Sequence, residues 1–142
     1  MIKSFKGQIA DGGQETIRLG TIRGEIGYRI KKYAIIPSDP ANTSNESIVK
    51  VFTVEPAAVS ETVNFNDPTL LAVAFYSGNT AASAPQDMVV IFDNTVFNQD
   101  IHLTHATDAG SDTINYYLEL EQVKLSLNEA TVATLKDMRG TN

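Results

Sequence analysis

The chain has 142 residues, enough for one domain with a real hydrophobic core; 42% of residues are hydrophobic and 20% charged, an ordinary globular balance. The absence of cysteine excludes a disulfide framework, a thiolate metal site and a cysteine nucleophile. Net charge is −6 but unevenly placed: residues 1–36 hold seven Lys and Arg against three acids, the remainder four against fourteen.

Met1–Gly13 has few apolar anchors and three glycines, and is expected to be an N-terminal arm ahead of a single domain over 14–142. Its basic start is followed by polar, Gly-rich sequence rather than an apolar stretch, so no signal peptide is expected. No apolar run approaches the length of a membrane span, and no membrane partner is expected.

Gln14–Ile22 reads as a first strand, with Ile17 and Leu19 on one face. Ile26–Ile36 alternates, with Ile26, Tyr28, Ile30, Ala34 and Ile36 on one face and Arg29, Lys31 and Tyr33 on the other. Lys32 breaks that pattern once, as a strand end, a bulge, or a lysine whose stem lies over apolar surface would. Glu46–Glu55 is apolar on both faces and is expected to be central in a sheet. Val63–Phe65 is a short alternating piece, and Thr69–Tyr76 a strand packed on both sides.

Met88–Phe97 and Ile101–His105 follow, with a bend at residues 98–100. With the segment after the turn-rich 106–112, they are the strongest β signals in the chain. In that last segment Ile114, Tyr116, Leu118 and Leu120 share one parity, while Val123, Leu125 and Leu127 share the other. Strict period two cannot keep both sets inward, so a bulge or change of sheet is expected near Glu121-Gln122. Ser126-x-x-Glu129 is a capping box opening a short helix over Ala130–Arg139, with a stripe of Leu127, Thr131, Leu135 and Met138. Lys136 and Arg139 suit its C-terminal dipole, and Gly140 marks its stop.

About eight short strands, one terminal helix and no βαβ alternation predict an all-β fold, an antiparallel β-sandwich. Eight strands favour a jelly roll, with an immunoglobulin-like sandwich as the rival.

Residue types that carry chemistry are present but scattered. His102 and His105, the only histidines, have odd spacing and point to opposite faces of one strand; His105 is expected inward beside Ile101 and Leu103, and His102 outward. No Gly-x-Ser-x-Gly elbow displays a nucleophile. Glu119 and Glu121 share a face, as paired carboxylates would, but with Asn115 and Tyr117 they form the solvated face of a half-buried strand. The oxygen-rich loops Asp39–Glu46 and Asp108–Asp112 match no EF-hand pattern and read as turn chemistry. No catalytic residue, metal or cofactor is expected. A sugar platform would need exposed aromatic rings, and the chain has no Trp. Arg29 and Lys31 with Tyr33 are the one cluster suited to nucleic acid, but the acidic balance argues against such a module, and no specific nucleic acid is expected.

Two stretches, Val90–His105 and Asn115–Arg139, with the middle segments Ile26–Pro40 and Ser47–Val54, resemble small virion proteins of marine tailed bacteriophages. The resemblance is one of whole sequence and carries no catalytic motif. It implies a non-enzymatic viral structural protein, made in the host cytoplasm and placed on the capsid exterior as a decoration protein. Its partners would be the major capsid protein and copies of itself, as a trimer or another small oligomer. Under this reading Lys3, Lys6, Arg29 and Lys31 are the candidate subunit or capsid contacts. A glycan-binding module of a tail or fibre, and a jelly-roll coat protein of a small virus, are the alternatives.

Overall fold

A computed structural model of the chain describes residues 1–20, 25–39, 46–77, 87–107 and 113–138. Among the described residues, eight strands and one helix run in the order β1 Ile2–Ile9, β2 Gln14–Ile17, β3 Ile26–Pro37, β4 Glu46–Phe52, β5 Leu70–Ser77, β6 Asp87–Phe92, β7 Ile101–Ala106, β8 Ile114–Lys124 and α1 Leu127–Met138. They form two antiparallel sheets, a three-stranded one ordered β1-β8-β3 and a five-stranded one ordered β2-β7-β4-β5-β6. The all-β sandwich expected from the strand pattern is the fold observed. The strand count also agrees, but its membership differs: β1 is a strand, and Val63–Phe65 is not.

The expected N-terminal arm is therefore corrected. Ile2–Ile9 pairs with β8 along its whole length, from Ile2 opposite Glu121 to Ile9 opposite Ile114. Phe5 and Ile9 are the anchors, packing with the core on one parity. Gly7, on the same parity, gives the Tyr116 ring its place: a Cβ at Gly7 would lie 3.0 Å from the Tyr116 hydroxyl oxygen. That glycine marks close packing rather than a loose arm. The turn that follows does need glycine, since Gly12 has φ +75°. Its N–H donates to the His105 carbonyl at 2.8 Å.

β3 holds the irregularity of the sheet. Ile30 lies opposite Leu120 and Lys32 opposite Glu119, so Lys31 is the extra residue of a bulge. Before it Tyr28 and Ile30 are buried; after it Tyr33 and Ile35 are buried and Ile36 is exposed. The expected face of Ile26, Tyr28, Ile30, Ala34 and Ile36 thus holds for Tyr28 and Ile30 and is wrong for Ala34 and Ile36, because the bulge at Lys31 inverts the alternation. The bulge expected in β8 near Glu121-Gln122 is absent: β8 keeps register with both neighbours there. Val123 and Leu125 have the opposite parity and belong to the other face, where Val123 pairs with Gly27 and the Leu125 and Val96 side chains lie against that glycine; the Leu125 N–H donates to the Glu25 carbonyl at 2.7 Å and continues the ladder.

One core joins the sheets. Ile30, Tyr33, Ile35, Tyr116, Leu118 and Leu120 of one sheet meet Val49, Val51, Ala72, Ala74, Ile101 and Leu103 of the other. Polar contacts cross the gap. Tyr33 donates its hydroxyl to the Val49 carbonyl at 2.9 Å, and Tyr116 donates to Glu15 Oε1 at 2.7 Å. His105, fully buried as expected beside Ile101 and Leu103, lies 2.9 Å through Nδ1 from the Ile9 carbonyl and 3.1 Å through Nε2 from Ser47 Oγ. Since a carbonyl only accepts, Nδ1 carries the proton and neutral Nε2 accepts from the serine.

Burial holds the His105 imidazole below its ordinary pKa of 6.5, against the opposing pull of the Ile9 and Ala10 carbonyls and of Asp11. A depressed folded value means that the unfolded chain binds the proton first. This stabilisation is complete above pH 6.5 and is lost as pH falls from there toward the folded value. Urea unfolding at pH 7.5 and 5.5 is expected to show a loss from this group of at most about 1.4 kcal/mol. His105→Asn, which keeps a donor for Ile9, is expected to shrink that loss.

An isolated bridge, Tyr28 to Phe97, adds a one-residue fourth strand beside β3. The expected strand Met88–Phe97 is therefore split: β6 ends at Phe92 on the five-stranded sheet, and Phe97 crosses to the other. The helix opens as its capping box implied, with the Glu129 N–H donating to Ser126 Oγ at 3.2 Å and that hydroxyl donating to the Glu129 carboxylate. Asn98 Nδ2 donates to Thr134 Oγ1 at 2.7 Å and ties the helix to the sandwich. Leu135 of the expected apolar stripe is exposed, with Val132, and the side chains of Leu127 and Met138 lie outside the described residues, as do Arg139 and Gly140. Ser126→Ala is expected to lower stability by about 1 kcal/mol, read by thermal unfolding.

Candidate interaction surface

The outer face of the three-stranded sheet gathers most of the candidate contacts. Along β8, Asn115, Tyr117, Glu119 and Glu121 face outward, half-buried. β3 sets Arg29 opposite Glu121, and its Nη2 lies 2.6 Å from Glu121 Oε1. The bulge turns Lys31 to the same carboxylate, with Nζ 3.4 Å from Oε2. The Arg29 hydrogen bond, opposed by desolvation and aided by Lys31, holds the Glu121 carboxyl below its ordinary range. One residue on, the Lys32 ammonium sits 5.6 Å from the Tyr117 ring centroid, and the Tyr117 hydroxyl donates to Glu119 Oε1 at 2.7 Å. The basic strand thus lies beside the acidic one and Glu121 engages two of its cations, yet the three strands together keep an excess of positive charge, six Lys and Arg against Glu119 and Glu121.

This sorts the four cations singled out in the sequence. Arg29 and Lys31 are engaged by Glu121. Lys3 and Lys6 are exposed on β1, at the sheet's margin, and form no ion pair among the described residues. Lys6 lies opposite Tyr117 and faces outward; Lys3 lies opposite buried Leu120 and has the other parity. The grouping of Tyr33 with Arg29 and Lys31 is corrected: the bulge turns Tyr33 inward, where burial pushes its phenol far above the ordinary range.

A shallow groove of ≈ 730 Å³ runs over this face, lined by Lys6, Gln8, Ala34, Ile36, Asn115 and Tyr117 among others. Its lining combines one ammonium, two amides, two tyrosines and aliphatic surface, a set suited to binding, with no carboxylate or imidazole among the lining residues to move a proton. His102 lies on the opposite, outer face of the five-stranded sheet, its Nδ1 3.0 Å from Thr16 Oγ1. The expected opposite orientation of the two histidines is what the structure has. The loop Asp108–Asp112 and most of Asp39–Glu46 lie outside the described residues.

Two features escaped the sequence. Lys50, on that same outer face in β4, is only 5% exposed. Its ammonium donates to the Thr62 carbonyl at 2.8 Å and lies 5.5 Å from the Phe52 ring centroid. Desolvation lowers its pKa, against an opposing pull from Asp67. Nothing local announced this burial, because it depends on the connection between β4 and β5. The second feature is β6. Val89 and Ile91 are 41% and 49% exposed, Phe92 36%, and nearby Phe65 67%. A crevice of ≈ 250 Å³ between Phe65, Val73, Ile91 and Phe92 completes this apolar margin.

Compared with known proteins, the chain matches no family model, and no curated protein matches it.

Proposed function

We propose that this chain is a non-enzymatic structural protein of a bacteriophage particle, a decoration protein that binds the outside of the head and stabilises its lattice. The sandwich is read as a jelly roll, on the strength of the nested pairs β1–β8, β2–β7 and β4–β5. The supporting observation is the surface: an apolar margin along β6, and exposed cations on β1 that form no ion pair among the described residues. Exposed apolar surface on this scale is a mark of assembly. The resemblance of residues 90–105 and 115–139 to small phage virion proteins supplies the setting. Its partners are the major capsid protein and further copies of itself in a small oligomer.

Decoration works by mass action: a protein that binds only the assembled shell shifts the balance toward that shell. A stable joint needs about 1,200–2,000 Å² of buried surface in total, within reach of a domain this size. Lys3 and Lys6 are the cations left to meet an acidic capsid surface. Lys3→Glu with Lys6→Glu is expected to weaken attachment to stripped particles about tenfold, an effect that moderate salt reproduces in the wild type. Unchanged attachment on cosedimentation would contradict the role of these lysines, and absence of the chain from purified particles would contradict the proposal.

A second reading has one observation in its favour. Tyr117, with Asn115 and Gln8 in the outer groove, offers a ring and two amides to a sugar. Saturable binding of a host surface polysaccharide, lost in Tyr117→Ala, would favour a tail-associated glycan-binding module.

A further inference from the structure

We infer, resting on the glycan-binding reading of the outer groove, that its ligand is an acidic polysaccharide whose anionic group is held by Lys6. Lys6 then serves the sugar, and Lys3, on the other parity of β1, is left for the capsid surface.

Register builds the site. Two rungs of the three-stranded sheet cross the groove: Lys6, Tyr117 and Ala34 form one, and Gln8, Asn115 and Ile36 the next. Residues directly opposite one another across paired strands share a face. Tyr117 and Asn115 face outward, so all six side chains do. Ala34 is the smallest of them and adds little height beside the Tyr117 ring. The groove's ≈ 730 Å³ lies within the range of small-molecule sites, about 300–1,000 Å³.

The lining suits a sugar better than a peptide. An extended peptide that docks on a sheet takes its affinity from main-chain hydrogen bonds along a free edge. This groove is centred on β8, the middle strand, which is already paired on both sides. It therefore recognises through side chains. The amides of Gln8 and Asn115 each present a donor and an acceptor, as a sugar hydroxyl does. The Tyr117 ring supplies an apolar plane for the C–H face of a pyranose, and Ile36, 53% exposed, extends it.

Charge sets the class of sugar. Lys6 is the one cation among the lining residues, and it forms no ion pair among the described residues. The two carboxylates of this face are engaged, Glu119 by the Tyr117 hydroxyl and Glu121 by Arg29 and Lys31. From the adjoining rung Lys32 brings a second ammonium to 5.6 Å from the Tyr117 ring centroid. The three strands hold six Lys and Arg against two Glu, in a chain of net charge −6. Positive potential thus gathers on one face of an acidic molecule. A neutral sugar makes no use of it. A carboxylate does, because it is drawn toward this face and forms a charge-assisted hydrogen bond with Lys6.

The test is titration calorimetry of the pure chain with hexamers of galacturonate and of mannuronate, with the same hexamers after reduction of their carboxyl groups, and with polyglutamate. At least one uronate is expected to bind saturably, and its reduced counterpart about tenfold more weakly. Lys6→Gln is expected to bring that uronate down to the affinity of the reduced hexamer. Lys124→Gln, at the far end of β8, is expected to change it by less than about twofold. Tyr117→Ala is expected to abolish both. Matching melting curves establish that the variants are folded, and Tyr117→Val, which keeps strand propensity, replaces Tyr117→Ala if that variant is not. Equal affinity for a uronate and its reduced form overturns the acidic class and leaves the glycan reading standing. Binding of no hexamer overturns both. Polyglutamate that competes as well as the uronate, or a Lys124 variant that loses as much as the Lys6 variant, would mark diffuse attraction of any polyanion and overturns the inference. So does uronate binding that Lys6→Gln leaves intact.

Discussion

Deleting Glu119 is expected to leave the chain unfolded in buffer at 25 °C, while deleting Lys31 is expected to leave it folded. Both remove one surface residue from a long strand, and propensity does not separate them. Register does. Lys31 is the extra residue between Ile30, opposite Leu120, and Lys32, opposite Glu119. Without it, Ile30, Lys32 and Tyr33 become consecutive, and each keeps its partner and its face. The change removes the bulge's twist and one ammonium near Glu121, a loss on the order of 1 kcal/mol. Glu119 sits in β8, which is paired with Ser4 of β1 on one side and Lys32 of β3 on the other. Its removal inverts every side chain on one side of the deletion. Either Leu120 or Leu118 must then leave the core, and both are fully buried. One buried leucine is worth about 2–5 kcal/mol when truncated, and two hydrogen-bond ladders would slip as well, against a total stability of about 5–15 kcal/mol. Urea unfolding followed by circular dichroism separates the outcomes; a cooperative transition for the Glu119 deletion would contradict the register described here.

Phe97→Ala is expected to cost about 3–5 kcal/mol, the largest loss from any single substitution considered for this chain. Phe97 is fully buried and stands where the chain crosses between the sheets. Its N–H donates to the Tyr28 carbonyl at 2.9 Å, and the Tyr28 N–H donates back at 2.7 Å. Its ring stacks on that of Tyr28, centroids 6.4 Å apart. The packing tightens around Gly27, where a Cβ would come within 2.8 Å of Val96 Cγ1. Truncation leaves a cavity at the seam that tethers the three-stranded sheet to the segment after β6. Phe97→Leu is expected to recover more than half of the loss in the same thermal unfolding experiment, because most of the lost volume returns.

These residues also show what can be read from a chain and what cannot. The interior strands β4, β5, β7 and β8 were legible because burial demands β-branched and aromatic residues at alternate positions, and that demand is local. The inward His105 and outward His102 followed from the same parity. β1 was missed because its lysines and glycines resemble an arm, and only the distant Tyr116 ring explains Gly7. The β3 bulge is half legible: Lys32 marks the break, but a strand end or a lysine stem over apolar surface would leave the same mark, and the separate parity change in β8 needs no bulge at all. The surface was least legible. Arg29 and Lys31 look free in sequence and are paired by Glu121, some ninety residues on. Met88–Phe92 reads as a core strand because composition records what a strand prefers to bury, not whether a neighbour is there to bury it.

Under the proposed function this sandwich acts through the surfaces it covers rather than through bonds it makes or breaks. The most direct measurement is a low-resolution reconstruction of the native particle, compared with particles lacking this chain. Extra density is expected on the head exterior at junctions between capsid subunits, in fixed ratio to the capsid protein. Purified particles free of the chain, or substrate turnover abolished by Glu119→Gln, would contradict it.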